Sequence, residues 1–268
     1  MSKELTPGQI ISTKKSSIRK LNNLLEGYIN SNIPEEQKKA YLISSWLQQF
    51  VSFISFENNF DPTKNISYKR GNVIKVNLGF NVGCELGGPH YAIVLDKNNK
   101  HSSDTVTIIP LVSTKEGKDI YERDVFLGNE LYNTLNARYK AQTEELEARS
   151  KEVNGFIEVI PPLLNGLKRL KSSAEINSSI EELEEKLNSL NRLHSELNGE
   201  FKRNEQLGKE ISFMKEGSIA RIEQITSISK MRIWIPKKST DALYNISYSE
   251  NTMRRINEKV KELFVFDE

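Results

Sequence analysis

Cysteine is almost absent from this chain of 268 residues. Cys84 is its single thiol, which excludes an internal disulfide framework and fits a reducing compartment. No apolar run approaches the roughly 20 residues needed to cross a bilayer. The opening MSKELTPGQ lacks the apolar core of a secretion signal, so a soluble, cytoplasmic protein is expected. Neither charge dominates, with 38 basic residues against 36 acidic, so no global field draws the chain to nucleic acid and any such site must come from local clustering. Histidines number three, and P-loop, dinucleotide, HExxH and paired CxxC patterns are missing. That leaves no support for a metal site and no cofactor to expect. The length suffices for one large or two modest domains.

What is present divides into segments of different texture. Residues 1–65 read as helical. Ile18, Leu21, Leu24, Leu25 and Tyr28 share one helical face, and Pro34 sits at the first position of a second helix carrying Tyr41, Leu42, Trp46, Leu47, Phe50, Phe53 and Ile54. Asn58–Asn65 is a linker of turn formers. Residues 66–130 are strand-rich, with strands predicted at 73–78, 91–95, 105–111 and 124–127. From Leu131 to Met214 the pattern becomes charged and helical. Leu135, Leu146, Val153, Phe156, Ile160, Leu163, Leu167 and Leu170 form a loose stripe. Leu183, Leu187, Leu190, Leu193, Leu197 and Phe201 are spaced as in a coiled-coil seam.

A turn at Ser172 makes this region an antiparallel helical hairpin over 131–216, with its first helix kinked at Pro161-Pro162. Its second helix, from Ile176 to Met214, would run roughly 58 Å at about 1.5 Å per residue and project from a small domain. Acidic residues such as Glu181, Glu182, Glu184 and Glu185 flank a seam of modest apolar content. The hairpin is therefore expected to pair on itself, to leave a groove for another protein chain, and to be removable over Leu135–Lys209 without loss of the strands. Strands resume over 218–225 and 231–235, and 249–266 is an amphipathic helix with Met253, Ile256, Val260 and Leu263 on one face.

The most informative stretch is Lys69–Asp96, KRGNVIKVNLGFNVGCELGGPHYAIVLD. It reads as two strands joined by a glycine-rich loop. Two or three residues suffice for a plain hairpin, so the longer loop points to binding or chemistry.

Three blocks of the chain resemble the PemK/MazF/Kid toxin family. Arg70-Gly71 and the loop glycines Gly83, Gly87 and Gly88 with Glu85 fit its N-terminal signature. Thr107–Ser113 is similar to its strand ending in Pro-Leu-Thr-Ser, and Ser218–Ser229 to its late strand. The resemblance implies an α+β fold: a small SH3-like β-barrel of residues 66–130 and 217–268 with a C-terminal helix, carrying 131–216 as an inserted hairpin and 1–65 as an N-terminal helical extension. It implies a metal-independent endoribonuclease that cuts single-stranded RNA to a 2′,3′-cyclic phosphate, dimerises, and is held in check by an antitoxin.

Cutting RNA this way needs a group that takes the 2′-hydroxyl proton, one that stabilises the phosphorane and one that protonates the leaving 5′-oxygen. Arg221 and Glu223 are two apart on a predicted strand and so share a face. A carboxylate beside a guanidinium suits base and oxyanion stabiliser. Taken alone the pair reads as a surface ion pair of little energetic value; with Gln224 and the Ser227-Ile228 turn matching the family, the functional reading leads. His90 stands where the family places a catalytic arginine. An imidazole, with a pKa near ~6.5, can exchange a proton but lacks a guanidinium's bidentate hold on phosphate; alternatively it caps loop backbone.

Val112 replaces the family's threonine and has no hydroxyl, leaving the role to Ser113 or Thr114, or to Thr107 if the register slips. Lys69, Arg70 and Lys75 are candidate phosphate contacts, Glu85 and Gln224 candidate RNA contacts, and Tyr91 and Phe80 candidate stacking rings. Cys84, without a neighbouring His or Asp in sequence, is not read as a nucleophile, and His101 and His194 read as surface residues. The Arg-to-His and Thr-to-Val departures keep a second reading open: a binding module whose hairpin mediates oligomerisation or sensing. A third makes the hairpin a purely structural coiled coil.

Overall fold

The computed structural model describes residues 5–114, 119–167, 173–215 and 217–265. Leu170, Ser172 and Phe266 of the expectations above lie outside the described residues. The chain falls into two compact units, Met1–Phe60 with Leu78–Gly88, and Asp61–Asn77 with Pro89–Glu268.

In the first unit, α1 (Pro7–Ile29) starts at a capping box, Thr6 accepting from the Gln9 amide while the Gln9 side chain accepts from Thr6. α2 (Pro34–Phe56) starts at Pro34, where a missing N–H costs nothing. The Trp46 ring packs at 6.1 Å from both Phe50 and Phe53. It also lies on Gly79, where a Cβ would come within 2.7 Å of the indole. The 78–88 loop closes on itself: the Leu78 amide donates to the Gly88 carbonyl (2.8 Å) and the Gly88 amide to the Gly79 carbonyl (2.6 Å). Gly79 (φ 81°) and Gly88 (φ 79°) both take the left-handed backbone that this closure needs.

The second unit holds β1 (Val73–Asn77), β2 (Pro89–Val94), β3 (Thr105–Ser113), β4 (Val125–Gly128), β5 (Ser218–Ala220), β6 (Thr226–Ser229) and β7 (Ile233–Ile235). All pairings are antiparallel and the order is β4-β5-β3-β2-β1-β7, with β6 also on β3. The α+β expectation holds, but the sheet is not a closed barrel. Its order ends at β4 and β7, strands of four and three residues, and closure requires a continuous ladder around the ring. The nine-residue β3 reaches past β2 to pair with β5 at one end and β6 at the other. Between them the chain leaves the ladder in a 3-10 turn, Ile222–Gln224, so the single strand expected over 218–225 stops at Ala220.

α3 (Glu130–Leu167) and α4 (Ser173–Phe213) form the hairpin. α3 continues through Pro161-Pro162 to Leu167, so the prolines do not end it. The seam differs from the expected one. Leu183, Leu190, Leu197, Asn204 and Ile211 recur every seven residues, and Leu193 and Leu207 sit three further on. Leu187 and Phe201 fall one position beyond that and are 51% and 42% exposed, because a side chain there points past the facing helix. Distally Leu197 packs with Leu146 and Val153, and Arg149 pairs with Glu200. Further down, Asn204 donates to the Thr143 hydroxyl at 2.9 Å, a polar contact of the kind that specifies register.

The hairpin's base is part of the sheet's core. Leu131, Leu135, Leu207 and Ile211 are buried in one cluster with Val73, Ile93, Ile109, Leu111, Ala220 and Ile222. α5 (Glu250–Phe264), capped by Ser249, adds Met253 and Ile256 to it. Removing Leu135–Lys209 would therefore strip buried side chains from the core, contrary to the expectation of a removable insertion. Leu207→Ala should cost about 2–5 kcal/mol in urea unfolding, whereas Leu187→Ala should stay within about 0.5 kcal/mol. Equal losses for the two would contradict this division of the seam.

Candidate active site

Register assembles the site. Leu111 on β3 lies opposite Ala220 on β5, and Ala220 opposite Val125 on β4. One step beyond Ala220 is Arg221 and one step before Val125 is Asp124, so the antiparallel ladder brings them side by side. Arg221 Nε lies 3.3 Å from Asp124 Oδ1, and the Arg221 amide donates to the Pro110 carbonyl (3.0 Å). The chain then turns, the Gln224 amide donating back to the Arg221 carbonyl (3.0 Å). The shared-strand-face argument for Arg221 and Glu223 therefore does not apply, yet the turn achieves the same meeting: Arg221 Nη2 donates to Glu223 Oε1 at 3.3 Å. Arg123 Nη1 donates to Glu223 Oε2 at 3.2 Å. Each oxygen of Glu223 thus faces its own guanidinium.

Asp124 is the buried member, its side chain 2% exposed against 19% for Arg221 and 32% for Glu223. Burial pushes its carboxyl above the ordinary value; the Arg221 charge opposes that shift and Glu223 adds to it. The Tyr121 ring lies 5.2 Å from the Arg221 guanidinium carbon, close enough for a cation–π contact.

His90, at the start of β2, donates from Nδ1 to the Leu111 carbonyl at 2.9 Å. His90 and Arg221 thus bond to consecutive carbonyls of β3, those of Leu111 and Pro110. Ser113 is exposed at the far end of β3, paired with Ser218, and Val112 lies opposite Ile219. The Thr114 amide donates to the Gly217 carbonyl, and a Cβ at Gly217 would meet the Thr114 hydroxyl at 2.4 Å. Thr107 lies opposite Ser227, their hydroxyls 3.0 Å apart, in the β6 half of the ladder.

The other RNA-contact candidates are scattered. Lys75 and Tyr91 face each other across β1 and β2, and both are engaged by Glu210 of α4. Lys75 Nζ reaches its carboxylate at 2.7 Å and the Tyr91 hydroxyl donates to it at 2.7 Å. Burial, and then Glu210 itself, raise the Tyr91 pKa. Arg70 donates to the Leu95 carbonyl and to the Asn257 side chain, tying β2's end to α5. Lys69 is exposed, its amide donating to Asn72. Glu85 belongs to the first unit, where it accepts from the Val82 amide at 3.4 Å. Among the described residues no three His, Cys, Asp or Glu side chains gather as metal ligands.

Sequence reasoning missed Tyr121, Arg123, Asp124 and Glu210. An Arg-Asp pair immediately before an apolar strand was the available signal for Arg123 and Asp124. Glu210 shares the composition of its acidic helix and had none.

Residues 69–160 match the family described as PemK-like, MazF-like toxins of type II toxin-antitoxin systems, so the chain carries a PemK-like domain. The matched span takes in β1 to β4 and most of α3; Arg221 and Glu223 lie beyond it. No curated protein matches the chain. Among the described residues no helix is long and apolar enough to cross a membrane.

Asp124 supplies a test of the site's electrostatics. Its folded pKa is raised above 3.8, so the folded chain retains a proton that the unfolded chain has released. Its contribution to stability is therefore greatest below 3.8 and falls as pH rises through the raised folded value. Asp124→Asn should flatten that slope in urea midpoints measured from about pH 4 to about pH 7. A slope unchanged by the substitution would place the titration elsewhere.

Proposed function

We propose that the protein is a toxin-type endoribonuclease that cuts single-stranded RNA without a metal ion and is restrained by an antitoxin. Proteins of the matched family are in general endoribonucleases, and the match over residues 69–160 supports that activity class here. The observation that carries the reading to this site is Glu223, with one carboxylate oxygen on Arg221 and the other on Arg123. Glu223 takes the proton of the ribose 2′-hydroxyl, whose oxygen forms the new bond to phosphorus. Arg221 stabilises the charge that accumulates on the phosphorane oxygens. The bond from phosphorus to the 5′-oxygen breaks, leaving a 2′,3′-cyclic phosphate, and His90 or Ser113 supplies the proton to the departing oxygen.

On this reading residues 66–130 and 217–268 are the catalytic part, in an SH3-like arrangement. Residues 1–65 are a helical extension and 131–216 an inserted hairpin. The protein acts in the cytoplasm as a homodimer, with Lys69, Arg70, Gln224 and Glu85 contributing to RNA contact.

Two observations favour a second reading, a binding module with weakened catalysis. Lys75 and Tyr91, a cation and a ring suited to RNA, are engaged by Glu210, and His90 and Val112 stand where the family has other residues.

Induced expression in bacteria with mapping of RNA 5′-ends separates the two. Wild type should arrest growth and cut RNA. Glu223→Ala and Arg221→Ala should each lower cleavage about 10²–10⁴-fold with circular dichroism unchanged. A harmless wild type, or two variants as toxic as it, would hand the case to the binding module.

A further inference from the structure

The segment leading into β4 presents two large side chains to water beside the site. Tyr121 is 65% exposed, and its ring rests against the guanidinium of Arg221 rather than in the core. The Arg123 side chain is 58% exposed. A ring stacked on a mobile arginine would be a fluctuating surface contact, but Arg221 is held at two points. Asp124, buried behind it, faces Nε at 3.3 Å, and Glu223 accepts from Nη2 at 3.3 Å. An ion pair without a hydrogen bond at Nε and a hydrogen bond at Nη2 together position the guanidinium on which the ring lies. Arg123 spends one nitrogen on Glu223, and a guanidinium carries five N–H donors in a planar fork suited to phosphate.

We propose that Tyr121 and Arg123 form a contact site for one nucleotide of a single-stranded RNA, Tyr121 stacking on an unpaired base and Arg123 holding the adjacent phosphate. The ligand class rests on the nuclease reading above. The site lies against Glu223, so a base stacked on Tyr121 belongs to a nucleotide next to the bond that is cut. Every base has a π-face, so the ring supplies affinity and position rather than sequence choice. The phosphate contact adds a salt-dependent term.

The test uses the full-length protein and a fluorescein-labelled 2′-O-methyl octaribonucleotide pool of randomised sequence, read by anisotropy. The methyl group blocks the 2′-hydroxyl nucleophile, so binding is measured without cleavage. Tyr121→Ala should weaken binding on the order of ten-fold or more, and Tyr121→Phe should leave it within about two-fold, since the π-face is kept. Arg123→Gln should weaken it and lower the slope of log affinity against log salt by about 0.7, the share of one single-strand phosphate. A wild type that does not hold the pool, or a Tyr121→Ala variant that holds it as tightly as wild type, overturns the proposal. A chain that binds the pool through Tyr121 yet leaves RNA uncut keeps this site and sinks the nuclease reading. One that cuts RNA while Tyr121→Ala changes neither affinity nor KM sinks this site alone.

Discussion

The backbone ladder of β3 is the constraint on which the rest of the second unit hangs. Its nine residues bond to β2 on one side and to β5 and β6 on the other. The ladder brings the backbones of His90, Arg221 and Asp124 together, and their side-chain contacts follow from that placement. His90 meets the Leu111 carbonyl, Arg221 meets the Pro110 carbonyl, and Asp124 arrives through the Leu111–Ala220–Val125 register. Because side chains alternate along a strand, a slip of one residue would turn Arg221 and Asp124 to opposite faces. The buried Leu111, Ala220 and Val125 at the crossing hold the register.

The hairpin has two parts with different physical roles. Near the sheet its side chains complete the core, and Glu210 clasps Lys75 and Tyr91 across two strands. A carboxylate shared between an ammonium and a phenol hydroxyl in a half-buried setting satisfies three polar groups at once. Farther out, the described contacts are a single narrow seam at Leu146, Val153 and Leu197 with an ion pair beside it. That seam shares no buried side chain with the core of the sheet, so within the described contacts only the base of the hairpin answers to the sheet.

Much of the architecture was legible in the chain. Pro34 announced a helix start, since a missing N–H costs nothing at a helix's first position. The alternation of Val73–Asn77 and the apolar run of β2 announced strands, and apolar residues three or four apart announced the helical pair. The glycines between β1 and β2 announced a loop longer than a plain hairpin needs. Local sequence misled in two places. Ser218–Ile225 has the composition of one strand, but β4 begins opposite Ala220, and the chain turns to bond with itself before it rejoins β3 at Thr226. Leu187 and Phe201 are apolar at helical spacing, yet one position off the seam leaves them in water.

For the candidate site, the sequence by itself determined which chemistry was on offer: a guanidinium two residues from a carboxylate, a histidine after a glycine-rich loop, one thiol and no metal-ligand spacing. Local pattern suffices for that, because those groups lie within one element or one loop. Only the tertiary structure decided which groups meet. Asp124 is 97 positions before Arg221 in the numbering, Arg123 is a further one, and Glu210 is far from both Lys75 and Tyr91. Contacts over such separations follow from strand register and from how a helix packs on a sheet, and neither is written in the residues that make the contact.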